Sequence, residues 1–414
     1  MKIQRILVLH FANLNNYGSG MMGLVTIQAL ADRFGTENVE FYCDFNAFAN
    51  IAEIKSELRS DVILKQYINA EAVKIQLIKN SLIRKTRILI NLLFTFEGKG
   101  FDKVIVLGGD DLSEYYSKYD AGLELFCKWK MTFRTRVILL GQTIGPFANI
   151  FNRLAVRYLL PSMTVFTRDQ WCTRYISEEF GGRVNQMADL ALSDLPKQSD
   201  VSIEIEILNS YELHRNEYFT FVISGLQSSN YYCNSLKVYL DRYSEMILAI
   251  AMIPQLEGKK ICLLAHTFPP FANEANLINS LYSLFPEKIR DRIILVNERI
   301  LQTRARFILG NGLFTVTGRM HAAVSTFQMG KPAVCLSYSA KYKGVIGDSI
   351  GRNDLIIEAN DSNMWDDGSI VIKVQEKVNY LLANYTLLLS EIKNSVNNQK
   401  MIINEKFDQL SVLD

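Results

Sequence analysis

The sequence predicts an α/β fold of two doubly wound domains, each built on a parallel sheet. Short apolar runs alternate with longer amphipathic segments from end to end, which is the pattern of strands and covering helices in such folds. The chain has 414 residues and a mass of 47.2 kDa, which is more than one hydrophobic core usually supports. Because the alternation breaks near the middle of the chain, we expect two domains.

The apolar runs predict one set of strands in each half of the chain. In the first half the predicted strands are Ile6–His10, Val39–Cys43, Val104–Leu107, Val137–Leu140, Thr164–Phe166 and Val184–Met187. In the second half they are Phe219–Ser224, Lys260–Ala265, Ile293–Val296, Leu313–Thr315 and Ala333–Leu336. Helical segments fit between most of these strands, so each half is expected to form its own sheet.

The join between the domains is predicted between Asp194 and Asn216, where a proline and mixed charges interrupt the periodicity. We therefore assign residues 1–200 to the first domain and residues 201–414 to the second. From Val371 to Phe407 the sequence predicts one or two long helices that pack back across the structure.

The overall composition is that of a globular protein without a nucleic-acid partner. Hydrophobic residues make up 49% and charged residues 21%, and 45 Lys and Arg against 43 Asp and Glu leave a net charge of +2. The six cysteines lie far apart without a CxxC pair or a zinc spacing, which predicts reduced thiols in a cytoplasmic protein. Histidines and acids do not cluster at ligand spacings, so we expect no required metal. No cofactor is expected either.

Two segments bear on membranes. The N-terminal apolar run is too short for a signal peptide and is interpreted as a first buried strand, and no segment reaches the ~18 uncharged apolar residues of a spanning helix. The stretch from Ala72 to Phe96 has no acidic residue and carries the basic residues Lys74, Lys79, Arg84, Lys85 and Arg87. It fits either a membrane-surface helix or a domain helix with a solvated basic edge.

Several loops at predicted strand ends in the first half could contact a ligand, because open α/β sheets bind ligands beyond the carboxyl ends of their strands. The Asn- and Gly-rich loop from His10 to Gly20 suits a backbone cradle for an anion or a sugar, or is a plain turn. After Gly108-Gly109, either Asp110 or Asp111 binds a sugar hydroxyl, or both only cap the next helix. Arg168 follows a strand directly, either as a surface residue or beside helix N–H groups in a phosphate or carboxylate site.

The strongest cluster lies in the second half, at the turn Gly318-Arg319-Met320-His321. This strand-to-helix turn places a guanidinium and an imidazole almost adjacent, and histidine titrates where general acid–base catalysis operates. The next strand leads to Lys341, which adds positive charge or is a solvated surface residue. We therefore expect a site here for a small anionic substrate.

The order and spelling of these motifs resemble the polysaccharide pyruvyl transferase family. The resemblance covers most of the chain, and Arg319-Met320-His321 is its most telling part. The shared features are the Asn/Gly loop after the first strand, Gly108-Gly109, Gln142-x-Ile144-Gly145-Pro146, Thr167-Arg168-Asp169, Ala188-Asp189, Gly318–Ala322 and Tyr338-x-x-Lys341. The family's glycine triplet appears here as Gly108-Gly109-Asp110, a departure that affects the expected acceptor contacts.

The resemblance implies a GT-B-like fold of two Rossmann-like domains facing across a cleft. It also implies transfer of a pyruvyl unit from phosphoenolpyruvate to sugar hydroxyls as a ketal. The family's cationic positions fall on Arg168, Arg319 and Lys341, which matches the two anionic groups of phosphoenolpyruvate, and His321 is the expected acid. His266 lies where the family often has a histidine after a strand. Glu274 is the candidate for the carboxylate that the family has further along the chain.

The acceptor is expected to bind mainly through the first domain, as a sugar of a cell-surface polysaccharide or its polyprenyl-linked precursor. The residues expected on the acceptor side are Asn13, Gly18, Asp110, Asp189 and His266, although Asp189 equally fits a buried structural role. A polyprenyl-linked acceptor would give the basic stretch Lys74–Arg87 a purpose at the inner face of the membrane. The alternative function is that of a nucleotide-sugar glycosyltransferase of the same architecture. The acceptor sugar, the ketal linkage and the oligomeric state do not follow from the sequence.

Overall fold

The computed structural model describes residues 3–45, 49–68, 98–115, 120–226, 232–270 and 272–412. The chain forms two compact units, each with a parallel sheet, and this confirms the predicted α/β fold class. The first unit comprises Met1–Asn13, Thr26–Met187 and Lys406–Asp414, and the second comprises Leu14–Val25 and Ala188–Glu405. The basic stretch from Lys74 to Arg87 lies outside the described residues.

The sheet of the first unit has seven strands in the order β3-β2-β1-β4-β5-β6-β7. The strands are β1 Gln4–Leu9, β2 Val39–Cys43, β3 Ile63–Gln66, β4 Lys103–Leu107, β5 Arg136–Gln142, β6 Thr164–Thr167 and β7 Asn185–Gln186. The described helices of the first half of the chain are Tyr17–Phe34, Ala49–Glu57, Asp120–Met131, Ile150–Leu159 and Gln170–Phe180. The inner strands are apolar on both faces, as a sheet covered on both sides requires.

The sheet of the second unit has six strands in the order β10-β9-β8-β11-β12-β13. The strands are β8 Tyr218–Val222, β9 Lys260–Leu264, β10 Ile293–Val296, β11 Thr315–Thr317, β12 Ala333–Ser337 and β13 Ile356–Glu358. The described helices are Val201–Ser210, Leu236–Ala251, Glu274–Ser283, Glu287–Arg290, Gln302–Asn311, Met320–Gln328, Ser362–Asp366, Ser369–Ala383 and Tyr385–Ser411. The last two confirm the long helices predicted between Val371 and Phe407.

In both sheets, the order in which the chain adds strands reverses at one pair of neighbouring strands. In the first unit the chain builds outward from β1 to β3 and returns to place β4 on the other side of β1. In the second unit β8 and β11 form the corresponding pair. Such a switch point opens a crevice at the carboxyl ends of the two strands, where doubly wound proteins bind ligands.

The strand prediction was displaced at β11 and missed the edge strands β3 and β13. The predicted strand Leu313–Thr315 lies two residues early, because the apolar run stops where buried threonines continue the strand. The hydroxyl of Thr326 donates to that of Thr315, and the hydroxyl of Thr317 accepts from the backbone N–H of Arg319, so both polar groups are satisfied. The edge strands are short and carry few buried side chains, so they have no strong apolar signal.

The limits of the compact units differ from the predicted ranges 1–200 and 201–414. The chain passes from the first unit to the second at Met187, upstream of the predicted boundary. Two short segments also cross over: Leu14–Val25 packs with the second unit and Lys406–Asp414 with the first. Long helices produce both crossings, since Tyr17–Phe34 and Tyr385–Ser411 each continue from one unit into the other. None of the helices in the described part of the chain has the length and apolar character needed to cross a bilayer.

Candidate active site

The candidate site of the second unit lies at its switch point. Strands β9, β8, β11 and β12 are consecutive in the sheet, and their parallel carboxyl ends lead into four polar loops. These loops carry His266 after β9, Gly225 after β8, Arg319 and His321 after β11, and Lys341 after β12. Most of the chemistry that the sequence predicts for the second half therefore belongs to one edge of one sheet.

A buried carboxylate joins three of these loops. Glu274 is completely buried, and its Oε1 accepts hydrogen bonds from Nε of Arg319 at 2.5 Å and from the backbone N–H of Gly225 at 2.9 Å. Its Oε2 accepts from the backbone N–H groups of His266 and Thr267, both at 2.9 Å. One side chain thus binds the loops after β8, β9 and β11 and neutralises the guanidinium among them.

The guanidinium of Arg319 is held by one edge only. Burial alone would lower the pKa of Arg319, but the charge and hydrogen bond of Glu274, together with Tyr338 and Tyr342, outweigh it, and the net shift is upward. Among the described residues, the hydrogen bond that this guanidinium donates is the one from Nε to Oε1 of Glu274. The helix Met320–Gln328 begins at the next residue, and the first N–H groups of a helix have no intrahelical partners. Guanidinium and helix start together suit an anion with two or more oxygens.

His321 lies on the first turn of the same helix, between a carboxylate and a glycine. Its Nε2 is 3.5 Å from Oδ2 of Asp189, which is completely buried and accepts the backbone N–H of Ala191 through Oδ1 at 3.0 Å. The other side of the ring faces Gly18, where an added Cβ would overlap Nδ1 and Cγ. Glycine is therefore required at position 18, because the backbone lies too close to the imidazole of His321 to leave room for a side chain. Asp189 faces Nε2, so Nδ1 is the nitrogen next to the Asn/Gly loop.

A buried arginine holds the segment that follows Asp189. Nη2 of Arg306 donates to the carbonyl of Ala191 at 2.7 Å, and Nη1 donates to the carbonyl of Ser193 at 2.8 Å. Burial lowers the pKa of Arg306 to about 9, partly offset by Asp194 and Asp189. With its backbone anchored in this way, Asp189 has little freedom to turn away from His321.

His266 is buried beside Arg319 and His321. Burial, the charge of Arg319 and the neighbouring His321 hold the pKa of His266 well below its usual range, so its imidazole is neutral near pH 7. Its ring packs edge-on against Tyr17, with centroids 5.2 Å apart. Neither ring nitrogen hydrogen-bonds to any described residue.

Tyrosines fix the peptide that precedes Arg319. The hydroxyls of Tyr232 and Tyr342 both donate to the carbonyl of Gly318, at 2.9 and 2.7 Å. Gly318 is required here because an added Cβ would lie 2.9 Å from the Tyr232 hydroxyl. Lys341 is buried, and its Nζ donates to Oη of Tyr338 at 2.5 Å, so it is not a solvated surface lysine.

The remaining predicted residues belong to the first unit. Arg168 is buried, with Nε donating to the hydroxyl of Thr143 at 2.7 Å, so it is not an exposed arginine. Asn13 is buried at the limit of the unit, and the carbonyl of Asp110 accepts from the hydroxyl of Ser113 at 2.5 Å.

The switch point of the first unit carries a histidine between carboxylates, which the sequence analysis did not single out. Nε2 of His10 lies 3.0 Å from Oε1 of Glu124, and Nδ1 lies 3.4 Å from Oδ2 of Asp111. Burial lowers the pKa of His10, but the nearby carboxylate of Asp111 and the hydrogen-bonded carboxylate of Glu124 outweigh it and raise the pKa to about 9. The backbone of His10 is left-handed, with φ 65°, and its N–H donates to Asp44 at 2.8 Å.

The structure thus brings together Arg319, His321, Asp189, Gly18 and His266 in the second unit. From the sequence, Glu274 is only a candidate, and Tyr232, Tyr342 and Arg306 are not identified. Their roles depend on contacts between residues far apart in the chain, although the YSAKY spelling around Lys341 could have drawn attention to Tyr342. Within the described residues, no three His, Cys, Asp or Glu side chains are grouped as a metal site would need.

Comparison with protein families gives one match over most of the chain. A family model described as polysaccharide pyruvyl transferase matches residues 16–340, which include the loops after β8, β9 and β11 and end one residue before Lys341. No curated protein sequence matches the chain significantly.

Solved structures share the fold at low sequence identity. MnaA of S. aureus with UDP has a TM-score of 0.60 at 12% identity, over 99% of this chain and 98% of that one. UDP-GlcNAc 2-epimerase of Neisseria meningitidis with UDP-GlcNAc has 0.59 at 9% identity, over 98% and 100%. HepE of Anabaena with UDP and glucose has 0.52 at 14% identity, over 99% and 100%. The likeness confirms the predicted GT-B-like class of two Rossmann-like units, and it shows the fold alone.

Replacing Glu274 by glutamine should destabilise the second unit by about 3–5 kcal/mol, because Arg319 would stay buried without a counter-charge. Denaturant titration, with hydrogen exchange of β8, β9 and β11 to assign the transition, measures the loss. Asp241→Asn, which removes the partner of the exposed Lys237, is the control and should change stability little. Equal effects of the two substitutions would contradict the assigned role of Glu274.

His10 should make the stability of the first unit depend on pH. Its pKa is raised from 6.5 to about 9 in the folded chain, so its contribution is complete below pH ~6.5 and is lost as the pH rises through about 9. The shift corresponds to a contribution of at most about 3 kcal/mol to the free energy of unfolding, and solvent screening reduces this contribution. The difference in unfolding free energy between wild type and His10→Asn should therefore shrink from pH 6 to pH 10. A difference that does not vary over this range, or an equal trend in His214→Asn, would count against the imidazolium.

Proposed function

The chain belongs to the polysaccharide pyruvyl transferase family, and from this premise we propose that it transfers a pyruvyl group from phosphoenolpyruvate to two hydroxyls of a sugar. The sugar is part of a cell-surface polysaccharide, such as an exopolysaccharide or capsule, or of its lipid-linked precursor, and the product is a pyruvate ketal. We place the reaction in the cytoplasm, in keeping with the six free cysteines of the chain. No cofactor is part of the proposal, since phosphoenolpyruvate is itself the donor.

The observation that carries the proposal is the setting of Arg319. Phosphoenolpyruvate has a carboxylate and a phosphate on adjacent positions, so its binding needs several directed donors. Arg319 is fixed through Nε by Glu274, and this is the hydrogen bond that its guanidinium donates among the described residues. The helix start at Met320 and the imidazole of His321 lie beside it in the chain. We assign Arg168 and Lys341 as further donor contacts, following the family's motif.

We assign His321 as the acid that protonates the enol methylene. The CH₂ carbon takes a proton from the imidazolium and becomes a methyl group, and the first sugar hydroxyl adds to C2 and releases its proton to the imidazole. The second hydroxyl then attacks C2, and the C2–O bond to phosphate breaks. The proton of this second hydroxyl leaves with the phosphate. Asp189, facing Nε2 at 3.5 Å, orients the ring and stabilises the imidazolium, while Nδ1 transfers the proton.

The residues expected on the acceptor side fall into two groups, those that contact His321 and those proposed to bind the sugar. Asp189 and Gly18 adjoin His321, so we assign them to positioning the acid. The neutral imidazole of His266, whose nitrogens have no partner among the described residues, is proposed for a sugar hydroxyl, as are Asn13 and Asp110. The names of the structural neighbours mention UDP or UDP-sugars. At 9–14% identity, however, these neighbours carry no argument that this chain is a nucleotide-sugar glycosyltransferase.

Ligand-induced stabilisation separates the two donors. Phosphoenolpyruvate at about 100 times its dissociation constant should stabilise the wild type by about 2.7 kcal/mol, whereas UDP-N-acetylglucosamine should have no effect. Arg319→Lys should lose most of this stabilisation, because an ammonium cannot donate to Glu274 and to the anion as a guanidinium does. The measurement is the unfolding temperature with each ligand. Stabilisation by the nucleotide sugar alone would overturn the proposed donor.

His321→Ala should reduce turnover by about 10²–10⁴-fold and leave the stabilisation by phosphoenolpyruvate largely intact, because the acid is lost and the guanidinium remains. Turnover is followed as phosphate release with a panel of p-nitrophenyl hexosides, and the ketal is identified by the mass gain of the glycoside. His214→Ala, at an exposed histidine of the same unit, is the control. A His321→Ala enzyme that keeps near wild-type turnover would rule out this acid.

A further inference from the structure

One helix of the first unit has apolar side chains on both of its faces. The inner face of Ile150–Leu159 buries Asn152, Ala155 and Val156. The outer face exposes Ile150 and Tyr158 by about two thirds (68% and 70%), and Phe151 and Leu154 by about half (49% and 45%). Ile150, Leu154 and Tyr158 are four residues apart, so they form one stripe along the helix. A soluble protein rarely leaves such a stripe without a partner.

The stripe continues onto neighbouring elements. At one end Phe151 packs on Gly122, whose neighbour Leu123 is also exposed. At the other end an open depression is lined by Pro161, Ser162 and the exposed Phe133. We call this area the 150–162 surface, defined by the stripe with Phe151, Leu123, Phe133, Pro161 and Ser162.

Arginines surround the C-terminal end of this surface. Arg134 and Arg136 line the same depression as Pro161, while Arg157 and Arg183 line a second depression that also includes Pro161. All four arginines are exposed. The surface thus combines an apolar stripe with a cationic rim.

The acids nearest to the surface are largely engaged elsewhere. Glu179 pairs with Arg153 at 3.1 Å, and Glu114 accepts the backbone N–H groups of Ala148 and Asn149 at 2.9 Å each. Glu178, on the helix Gln170–Phe180, and Asp120, three residues before Leu123, are also exposed.

We propose that the 150–162 surface docks onto an anionic lipid bilayer. Apolar side chains and Tyr158 would enter the headgroup region while the arginines pair with lipid phosphates, as in other interfacial helices. A second copy of the chain fits less well, because a symmetric interface would bring together two surfaces that are each rimmed by arginines. The inference draws on the proposed function only for its purpose, which is to bring the enzyme to a lipid-linked acceptor.

Vesicle flotation tests the surface. Wild type should float with vesicles of equal parts phosphatidylcholine and phosphatidylglycerol, and much less with phosphatidylcholine alone. The double variant Leu154→Gln, Tyr158→Gln should bind the anionic vesicles about tenfold more weakly, since it removes two apolar anchors. The control is Val201→Gln, Ile205→Gln, which changes two exposed apolar residues with the same spacing on another helix and should bind like wild type. Arg157→Gln, Arg183→Gln should weaken binding to anionic vesicles and reduce its salt dependence.

The comparison of variants is needed because the basic stretch Lys74–Arg87 is also a candidate for lipid contact. Equal flotation of the test and control variants, or no flotation of wild type, would overturn the inference. So would a wild-type dimer, seen by light scattering without vesicles, that the test variant dissociates. Turnover of a water-soluble hexoside by the test variant should be unchanged. If no variant turns over phosphoenolpyruvate but the flotation pattern holds, the proposed function fails while the docking surface stands.

Discussion

The buried ion pair between Glu274 and Arg319 is the interaction on which the candidate site depends. A carboxylate that is completely buried is stable only when its charge is paired and its oxygens accept hydrogen bonds. Glu274 meets both conditions with one guanidinium and three backbone N–H groups, which come from Gly225, His266 and Thr267. Three loops that begin on three strands are therefore held in one arrangement. The pair also decides which edge of the guanidinium is used internally and which remains for a ligand.

Further contacts make the turn after β11 rigid rather than merely close-packed. Two phenol hydroxyls donate to the carbonyl of Gly318, so the peptide leading to Arg319 cannot rotate freely. On the other side, Arg306 fixes the carbonyls that follow Asp189, and Asp189 faces His321. Preorganisation of this kind matters for acid catalysis because the reacting groups then need no rearrangement at the moment of proton transfer. This arrangement has a cost in desolvation, because burial of Arg306 disfavours its charged form and lowers its pKa to about 9.

The two units repeat one strand order but equip their switch points differently. In the second unit the loops beyond β8 and β11 bring a guanidinium, a helix start and an imidazole together around one internal carboxylate. In the first unit the loops beyond β1 and β4 bring His10 to Asp111, with Glu124 from the following helix, and Lys128 also pairs with Glu124 at 2.8 Å. The arrangement in the second unit suits an anion, whereas the charges in the first unit are paired among its own side chains. The same backbone design thus supports different ligand chemistry because the side chains at the strand ends are free to vary.

The sequence by itself determined the fold class, the family and the turn that bears Arg319 and His321. Alternating apolar runs report burial directly, and short motifs such as Gly318–Ala322 keep their chemistry within a few residues, so neither needs three-dimensional information. Tertiary structure alone decided that Glu274 pairs with Arg319, that Asp189 and Gly18 adjoin His321, and that His10 lies between two carboxylates. It also decided the limits of the compact units, through helices that continue from one into the other. These contacts join residues separated by up to 303 positions, as between Gly18 and His321, and folding of the chain into its sheets is what brings them together.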